Sequence, residues 1–126
     1  MTPEDRKYTK EHEWIKVDGK VGVIGITQFA QGELGDIVFL DLPRVGTKAE
    51  REKPFGSVEA VKTVSDLYAP VSGTIVAVND ALVSEPDLVN KDPYGKGWMV
   101  KIEMTDAAEA NSLLSAQDYQ QLIGVH

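Results

Sequence analysis

The sequence predicts a mainly β fold, a sandwich or barrel of short strands with a helical segment at its C-terminal end. Runs rich in valine, isoleucine and aromatic residues recur up to Met104, and glycine, proline, asparagine or aspartate separates them. After Met104 the pattern becomes helical. The predicted strands are Tyr8–Val17, Lys20–Ile26, Asp36–Leu42, Phe55–Val61, Asp66–Ala69, Gly73–Val78 and Trp98–Met104.

Two local signals divide the first half of the chain. Asp18-Gly19 is a strong hairpin signal between the first two predicted strands. Thr27 is a good N-cap for a short helix over about 28–34, and Gly35 follows as its stop. We therefore expect a hairpin and one short helix before the third strand.

The C-terminal segment predicts further helices. Thr105–Glu109 reads as a helix start, and Ser115 with Asp118 three residues later predicts a last helix that ends near Gly124. We expect a single domain over 1–126, with a core at about 8–104 and a helical segment at about 105–124. The residues expected to face the strands are Leu113, Leu114, Tyr119 and Leu122.

Composition excludes several classes of function. The 126-residue chain has no cysteine, so it has no disulfide, thiolate metal site or cysteine nucleophile of its own. A net charge of −7 argues against nucleic acid and anionic membranes as partners, although plain solubility explains that charge equally well. The first residues do not resemble a secretory signal, so we expect a bacterial cytoplasmic protein or a processed organellar one.

One lysine stands out by its position. Between Phe55 and Pro70 the chain reads FGSVEAVKTVSDLYAP, which places Lys62 at or beside the tip of a predicted hairpin. The neighbours Ala60 and Thr63 are small, so a macromolecule could approach the ammonium group closely. Most exposed lysines on hairpins only aid solubility, and position alone does not separate these two readings.

The segment around Lys62 closely resembles the lipoylated hairpin of glycine cleavage system H-proteins. Further blocks resemble the same family in order along the chain, from about Tyr8 to the C-terminal helix. These blocks are Glu11–Trp14, Gly25–Gln31, Leu34–Phe39, Leu42–Gly46, Tyr68–Gly73 and Val89–Trp98.

The resemblance implies both a fold and a role. Members adopt a barrel-sandwich hybrid of two small antiparallel sheets, and they are carriers and not enzymes. Lipoate would be joined to Lys62 through an amide bond, which removes the lysine charge. The implied partners are the pyridoxal-phosphate glycine decarboxylase (P-protein), the tetrahydrofolate-dependent aminomethyltransferase (T-protein), dihydrolipoyl dehydrogenase (L-protein) and lipoyl-attaching enzymes. We expect a monomer that visits each in turn.

The resemblance also implies a groove that shelters the loaded arm. Its acids would be Glu13 and Asp66, and its apolar walls would include Ile26 and Leu34. A carboxylate can meet a cationic cargo, while apolar walls exclude water. Alternatively, Asp66 could end a turn and Glu13 could be a solvated strand residue. The sequence departs from some relatives by having Glu33 where they have a histidine.

A metal site is not expected. His12 lies between Glu11 and Glu13, but on a strand its side chain would point opposite to both acids. The other histidine is His126, at the end of the chain. Trp14 and Trp98 are expected to pack in the core or against the groove.

Other functions stay open at this point. A biotinyl domain or a lipoyl domain of a 2-oxoacid dehydrogenase would also carry a modified lysine. Biotinyl domains usually have methionine beside that lysine, and dehydrogenase lipoyl domains usually have aspartate before it, whereas Val61 and Thr63 flank Lys62. An H-protein-like chain could instead relay lipoyl or octanoyl groups. A hydrolase or ligand-binding module with unmodified Lys62 is the remaining alternative, and the chain lacks an evident nucleophile–base pair for the former.

Overall fold

The structure is a computed structural model that describes residues 2–124. Within these residues nine strands form two antiparallel sheets, one of six strands and one of three. The strands are β1 (Lys7–Tyr8), β2 (Glu13–Asp18), β3 (Val21–Ile26), β4 (Ile37–Asp41), β5 (Lys48–Ala49), β6 (Pro54–Ala60), β7 (Val64–Tyr68), β8 (Gly73–Val78) and β9 (Val100–Met104). The helices are α1 (Gln28–Leu34), α2 (Ala81–Ser84), α3 (Leu88–Lys91), a 3₁₀ helix (Ala107–Ser112) and α4 (Ala116–Leu122).

The mainly β prediction is confirmed. The larger sheet has the order β1-β2-β3-β9-β8-β5, and the smaller has the order β4-β6-β7. Six of the seven predicted strands appear with shifts of up to two residues at their ends. The sequence analysis missed β5, α2 and α3, which are only two to four residues long and too short for a periodic signal.

The first predicted strand, Tyr8–Val17, is wrong as a continuous element. β1 ends at Tyr8, a turn follows, and β2 starts at Glu13. At His12 the backbone φ is +73°, a conformation that side-chain-bearing residues rarely adopt. The turn lets β1 fold back antiparallel onto β2, with Tyr8 opposite Trp14.

The first hairpin is present, displaced by one residue from the prediction. Asp18 pairs with Val21, so Gly19-Lys20 is the two-residue loop. Gly19 has φ +64°, which glycine adopts at no steric cost in the first central position of such turns.

Two buried clusters hold the molecule together. The larger lies between the sheets and includes Ile15, Leu67, Ile75 and Ile102. The smaller joins β1 and β2 to the C-terminal helix through Tyr8, Trp14, Ala116 and Tyr119. The packing positions expected for Trp14 and Tyr119 are therefore confirmed.

The C-terminal helix presents a slightly different face from the predicted one. Ala116 and Tyr119 are buried, and Ile123 packs beside them, which follows the i, i+3, i+7 spacing of a helix. Leu113 and Leu114 pack against the two clusters as expected. Leu122 is 50% exposed, so the prediction that it faces the strands is wrong. Over residues 2–124, no helix is long and apolar enough to cross a bilayer.

Candidate functional site

Lys62 lies in the tight connection between β6 and β7, as predicted. The Ala60 N–H donates to the Thr63 carbonyl at 2.8 Å, which closes the turn. The Val61 N–H donates to the Asp36 carbonyl at 3.0 Å, which ties the turn to the start of β4. Three exposed residues, Val61 to Thr63, therefore project from a backbone that is fixed on both sides.

The side chain of Lys62 lies across the end of α1. Its Cε is 3.6 Å from the position that a β-carbon on Gly35 would take. Gly35 ends the helix with φ +79° and ψ −153°, and its N–H donates to the Gln31 carbonyl. The lysine stem therefore lies close to the residue that ends α1.

A cavity of about 460 Å³ lies between α1, the turn before β2, and β7. Its lining includes Glu13, Ile26, Leu34 and Asp66, the four residues that the resemblance assigned to a groove. Leu34 is the last residue of α1 and precedes Gly35, on which Lys62 lies. The remaining lining residues are Glu11, His12, Phe29, Ala30, Glu33, Val58, Ser65 and Leu67. This cavity is called the groove below.

Glu13 is the buried acid of the groove, with only 1% of its surface exposed. Its Oε1 accepts a hydrogen bond from Thr9 Oγ1 at 2.6 Å, and its Oε2 accepts one from the Tyr68 N–H at 3.2 Å. Burial raises the pKa of Glu13 to about 7, although these two hydrogen bonds oppose the rise. Glu13 is thus not a solvated strand residue, and its charge responds to its surroundings near neutral pH.

Asp66 is the exposed acid of the groove. It lies in β7, the edge strand of the smaller sheet, opposite Ser57 of β6. Because β7 continues through Tyr68, Asp66 does not end a turn. The groove thus has one buried carboxyl group, that of Glu13, and three exposed ones, those of Glu11, Glu33 and Asp66.

The expected orientation of His12 is wrong. Because His12 lies in a turn and not on a strand, Glu11, His12 and Glu13 all line the groove. Its Nδ1 is 2.8 Å from the Tyr119 hydroxyl, and its ring centroid is 5.0 Å from that of Phe29. Among residues 2–124, no group of three or more potential metal ligands is placed to hold an ion.

Asn90 is a positioning residue that the sequence analysis did not single out. Its Oδ1 accepts from the Ile37 N–H at 3.0 Å, and its Nδ2 donates to the Gly35 carbonyl at 2.8 Å. Nδ2 also donates to Gln31 Oε1 at 2.9 Å. A single side chain from α3 thus holds the end of α1 and the start of β4, on which Lys62 depends. Residues more than fifty apart in sequence give no local signal of such a contact.

The outer face of the smaller sheet carries exposed apolar side chains beside Lys62. Phe39, Glu59 and Val64 are direct cross-strand partners and therefore project from the same face. Phe39 is 57% exposed and Val64 61% exposed, and Val61 at the tip is 75% exposed. The three apolar residues, Phe39, Val61 and Val64, are called the outer apolar row below, and the exposed Glu59 lies between Phe39 and Val64.

A small two-sheet β domain with an exposed lysine on a hairpin that is fixed by backbone hydrogen bonds has the features of a carrier domain. Comparison with known proteins makes this specific. A family model described as Glycine cleavage H-protein matches residues 6–125. The chain belongs to the glycine cleavage H-protein family, whose members are the lipoyl carriers of the glycine cleavage system.

Individual relatives agree with this assignment. The chain is 58% identical to a glycine cleavage system H protein of Carboxydothermus hydrogenoformans, over 98% of this chain and 95% of the relative. It is 58% identical to one from Bacillus cereus, over 95% of this chain and 94% of the relative. A crystal structure of such a protein from Mycobacterium marinum superposes with a TM-score of 0.90 at 43% identity, covering 98% of this chain and 99% of that one. The barrel-sandwich hybrid fold is thereby confirmed.

Proposed function

We propose that Lys62 is the lipoyl attachment site of this chain, and that the protein carries the aminomethyl group of glycine from P-protein to T-protein. The observation that carries this is the fixed, exposed hairpin of Lys62, in a chain whose family is defined by lipoyl carriage. When bound, lipoate supplies the dithiolane that takes up the cargo and is reoxidised through L-protein. The protein itself then positions the lipoyl arm and shelters its cargo, and it lowers no chemical barrier.

The residues present fit an attached arm. Lys62 is exposed, and among residues 2–124 no hydrogen bond or ion pair engages its ammonium group. An attaching enzyme therefore does not have to break a hydrogen bond or ion pair of the lysine. The turn is fixed by its own backbone hydrogen bonds, so acylation leaves its geometry intact. The lysine stem lies over Gly35, the residue that follows Leu34 of the groove lining.

We infer that the groove holds the cargo, an amine that is cationic when protonated. Glu13 and Asp66 supply the negative charge, while Ile26 and Leu34 contribute apolar wall that keeps water away. A buried carboxylate costs free energy when it has no cation beside it. With a pKa of about 7, Glu13 is about half ionised in the empty groove near neutral pH, and a cationic amine beside it would favour the ionised form.

We infer that the outer apolar row is the docking surface for the enzymes that handle the arm. It lies beside Lys62. Two exposed acids, Asp41 and Asp66, are cross-strand partners of Ser57, two residues before Glu59 on β6, and the exposed Asp36 precedes β4. A second copy of this chain would bring like charges together, which disfavours self-association. A partner with an apolar active-site mouth and basic rim fits instead. A monomer in the bacterial cytoplasm suits this role, and the relatives quoted above are bacterial.

The test is reconstitution with the three enzymes. Fully lipoylated wild-type protein is expected to support glycine decarboxylation and transfer of its one-carbon unit to tetrahydrofolate. Lys62→Arg keeps the positive charge but cannot be lipoylated, and it is expected to abolish the activity. Lys53→Arg is the matched control, since Lys53 is also exposed, and it should be fully active. Full lipoylation without any activity would contradict the proposal and favour a relay role.

A further inference from the structure

A chain of hydrogen bonds links the C-terminal helix to the wall of the groove. Tyr119 is fully buried in α4, and its hydroxyl lies 2.7 Å from Thr27 Oγ1 and 2.8 Å from His12 Nδ1. Thr27 Oγ1 in turn accepts from the Ala30 N–H at 3.1 Å, which caps α1. One hydroxyl thus meets both the helix and the turn that line the groove.

The direction of these hydrogen bonds follows from the number of protons available. Thr27 is fully buried and already accepts from Ala30, so its own hydroxyl proton needs an acceptor. Within residues 2–124, the other hydrogen-bond partner of that hydroxyl is Tyr119. A buried hydroxyl proton without an acceptor is unfavourable, so Thr27 donates to Tyr119. The Tyr119 proton is then free to be donated to His12 Nδ1.

A ring nitrogen that accepts a hydrogen bond carries no proton. With Nδ1 as acceptor, His12 is neutral and its proton is on Nε2. We propose that Tyr119 is a positioning residue of the groove, which holds His12 uncharged so that the groove wall adds no positive charge where a cationic cargo is to lie. This inference rests on the proposed shelter of a protonated amine.

The surroundings of His12 would otherwise favour its charged form. Glu11 lies in the same turn, and Glu33 faces His12 from α1. Glu13 and Asp66 line the same groove. A charged His12 would compete with the cargo for these four carboxyl groups. Burial lowers the pKa of His12 against the pull of Glu11 and Glu33.

Several contacts fix the backbone and the ring of His12 in place. The His12 carbonyl accepts from the Thr27 N–H at 3.0 Å, and the His12 ring packs against Phe29. Tyr119 itself stacks on Tyr8, with ring centroids 4.9 Å apart and an angle of 14° between the planes. The unusual φ of His12 persists because the surrounding structure determines it from several sides.

The first test measures His12 in the full chain without lipoate, so it does not depend on the proposed function. Ring ¹⁵N chemical shifts report the tautomer, and a His126→Ala variant assigns the resonances. We expect a neutral Nε2–H form with a titration midpoint below about 6.5. Tyr119→Phe is expected to raise that midpoint by about one pH unit, a tenfold change in the protonation constant. Tyr8→Phe removes the neighbouring buried hydroxyl, which bonds to the Pro3 carbonyl, and should leave His12 unchanged.

The second test measures the lifetime of the cargo on the lipoylated, loaded protein without T-protein. Tyr119→Phe is expected to shorten that lifetime several-fold near pH 6 and little near pH 8, because only the lower pH charges the released His12. Adding His12→Asn to Tyr119→Phe should restore it near pH 6, since asparagine stays neutral and tolerates positive φ.

Three results would overturn the inference: a His12 proton on Nδ1 in the wild type, a titration unchanged by Tyr119→Phe, or a loss of lifetime that is equal at both pH values. Wild-type protein that protects the cargo no better than free lipoamide would instead contradict the proposed function. In that case the ¹⁵N result would still decide whether Tyr119 holds His12 uncharged.

Discussion

The Lys62 side chain lies over Gly35, with its Cε 3.6 Å from where a β-carbon on that glycine would be. Gly35 also ends α1, and its carbonyl accepts a hydrogen bond from Asn90. The hairpin tip and the end of the helix beside the groove therefore meet at one residue. Substitutions at Gly35 should therefore affect both the hairpin tip and the end of the helix.

Gly35→Ala is expected to destabilise the protein. The φ of +79° with ψ of −153° lies in a region that is nearly restricted to glycine, so an alanine there should cost about 1–3 kcal/mol. Urea denaturation measures this as a lower midpoint with an unchanged slope. Gly32→Ala is the matched control in the same helix: nothing lies within 4 Å of its added β-carbon. It should stabilise by about 0.5–1 kcal/mol, and equal losses in the two variants would contradict the strain argument.

Glu13 should make stability depend on pH in a direction opposite to most carboxylates. Its pKa is about 7 in the folded protein and about 4.5 as a model value, so the folded state binds the proton more tightly. Stability should therefore fall as pH rises from about 4.5 to 7, by up to about 3 kcal/mol from this group.

Glu13→Gln should remove that fall, because an amide can still accept from Tyr68 and donate to Thr9 but does not ionise. Urea denaturation at a series of pH values compares it with Glu103→Gln, an exposed acid on β9 that should keep the wild-type dependence. A wild-type stability that rises steadily over this range would contradict the burial of Glu13 as an acid.

Asp66→Asn should weaken retention of the cationic cargo. An exposed carboxylate contributes modestly, up to about 1 kcal/mol, so we expect a loss rate faster by about two- to fivefold. Ammonia release from the loaded protein without T-protein measures that rate. Asp41→Asn is the control, because Asp41 is exposed and, like Asp66, pairs with Ser57 but does not line the groove. A similar effect of both variants would indicate general electrostatics and not the groove.

Phe39→Ser should weaken docking to the enzymes. Loss of a central aromatic contact in an interface typically costs more than about 1 kcal/mol, so the KM of T-protein for the loaded carrier should rise about tenfold with kcat little changed. Val76→Ser, at a 40% exposed position in the larger sheet, should have no such effect. An unchanged KM for Phe39→Ser would show that the outer apolar row is not the docking surface.

The strands were predictable because their signal is local. Alternating β-branched and aromatic residues with glycine or asparagine between them locate elements such as Gly73–Val78 at the observed bounds. The strand prediction was wrong at His12 because the sequence from Tyr8 to Val17 contains no signal of a turn. The residue type alone does not predict the positive φ of His12, which tertiary contacts impose.

The residues of the candidate site could be proposed from the sequence, but the contacts that position them could not. The resemblance supplied Lys62 and the four groove residues, which the structure places along one hairpin and one cavity. It could not supply Asn90 or Tyr119, because their contacts with Gly35 and His12 join residues 55 and 107 positions apart. The burial that raises the pKa of Glu13 is likewise a property of the packed fold.

The central claim is that Lys62 carries the lipoyl arm, and the mass of natively expressed protein tests it most directly. The account predicts a mass increase of one lipoyl group, located by fragmentation to the peptide Val58–Tyr68 and absent from Lys62→Arg. An unmodified Lys62 in cells that lipoylate their other carriers, or a lipoyl group on another lysine, would contradict it.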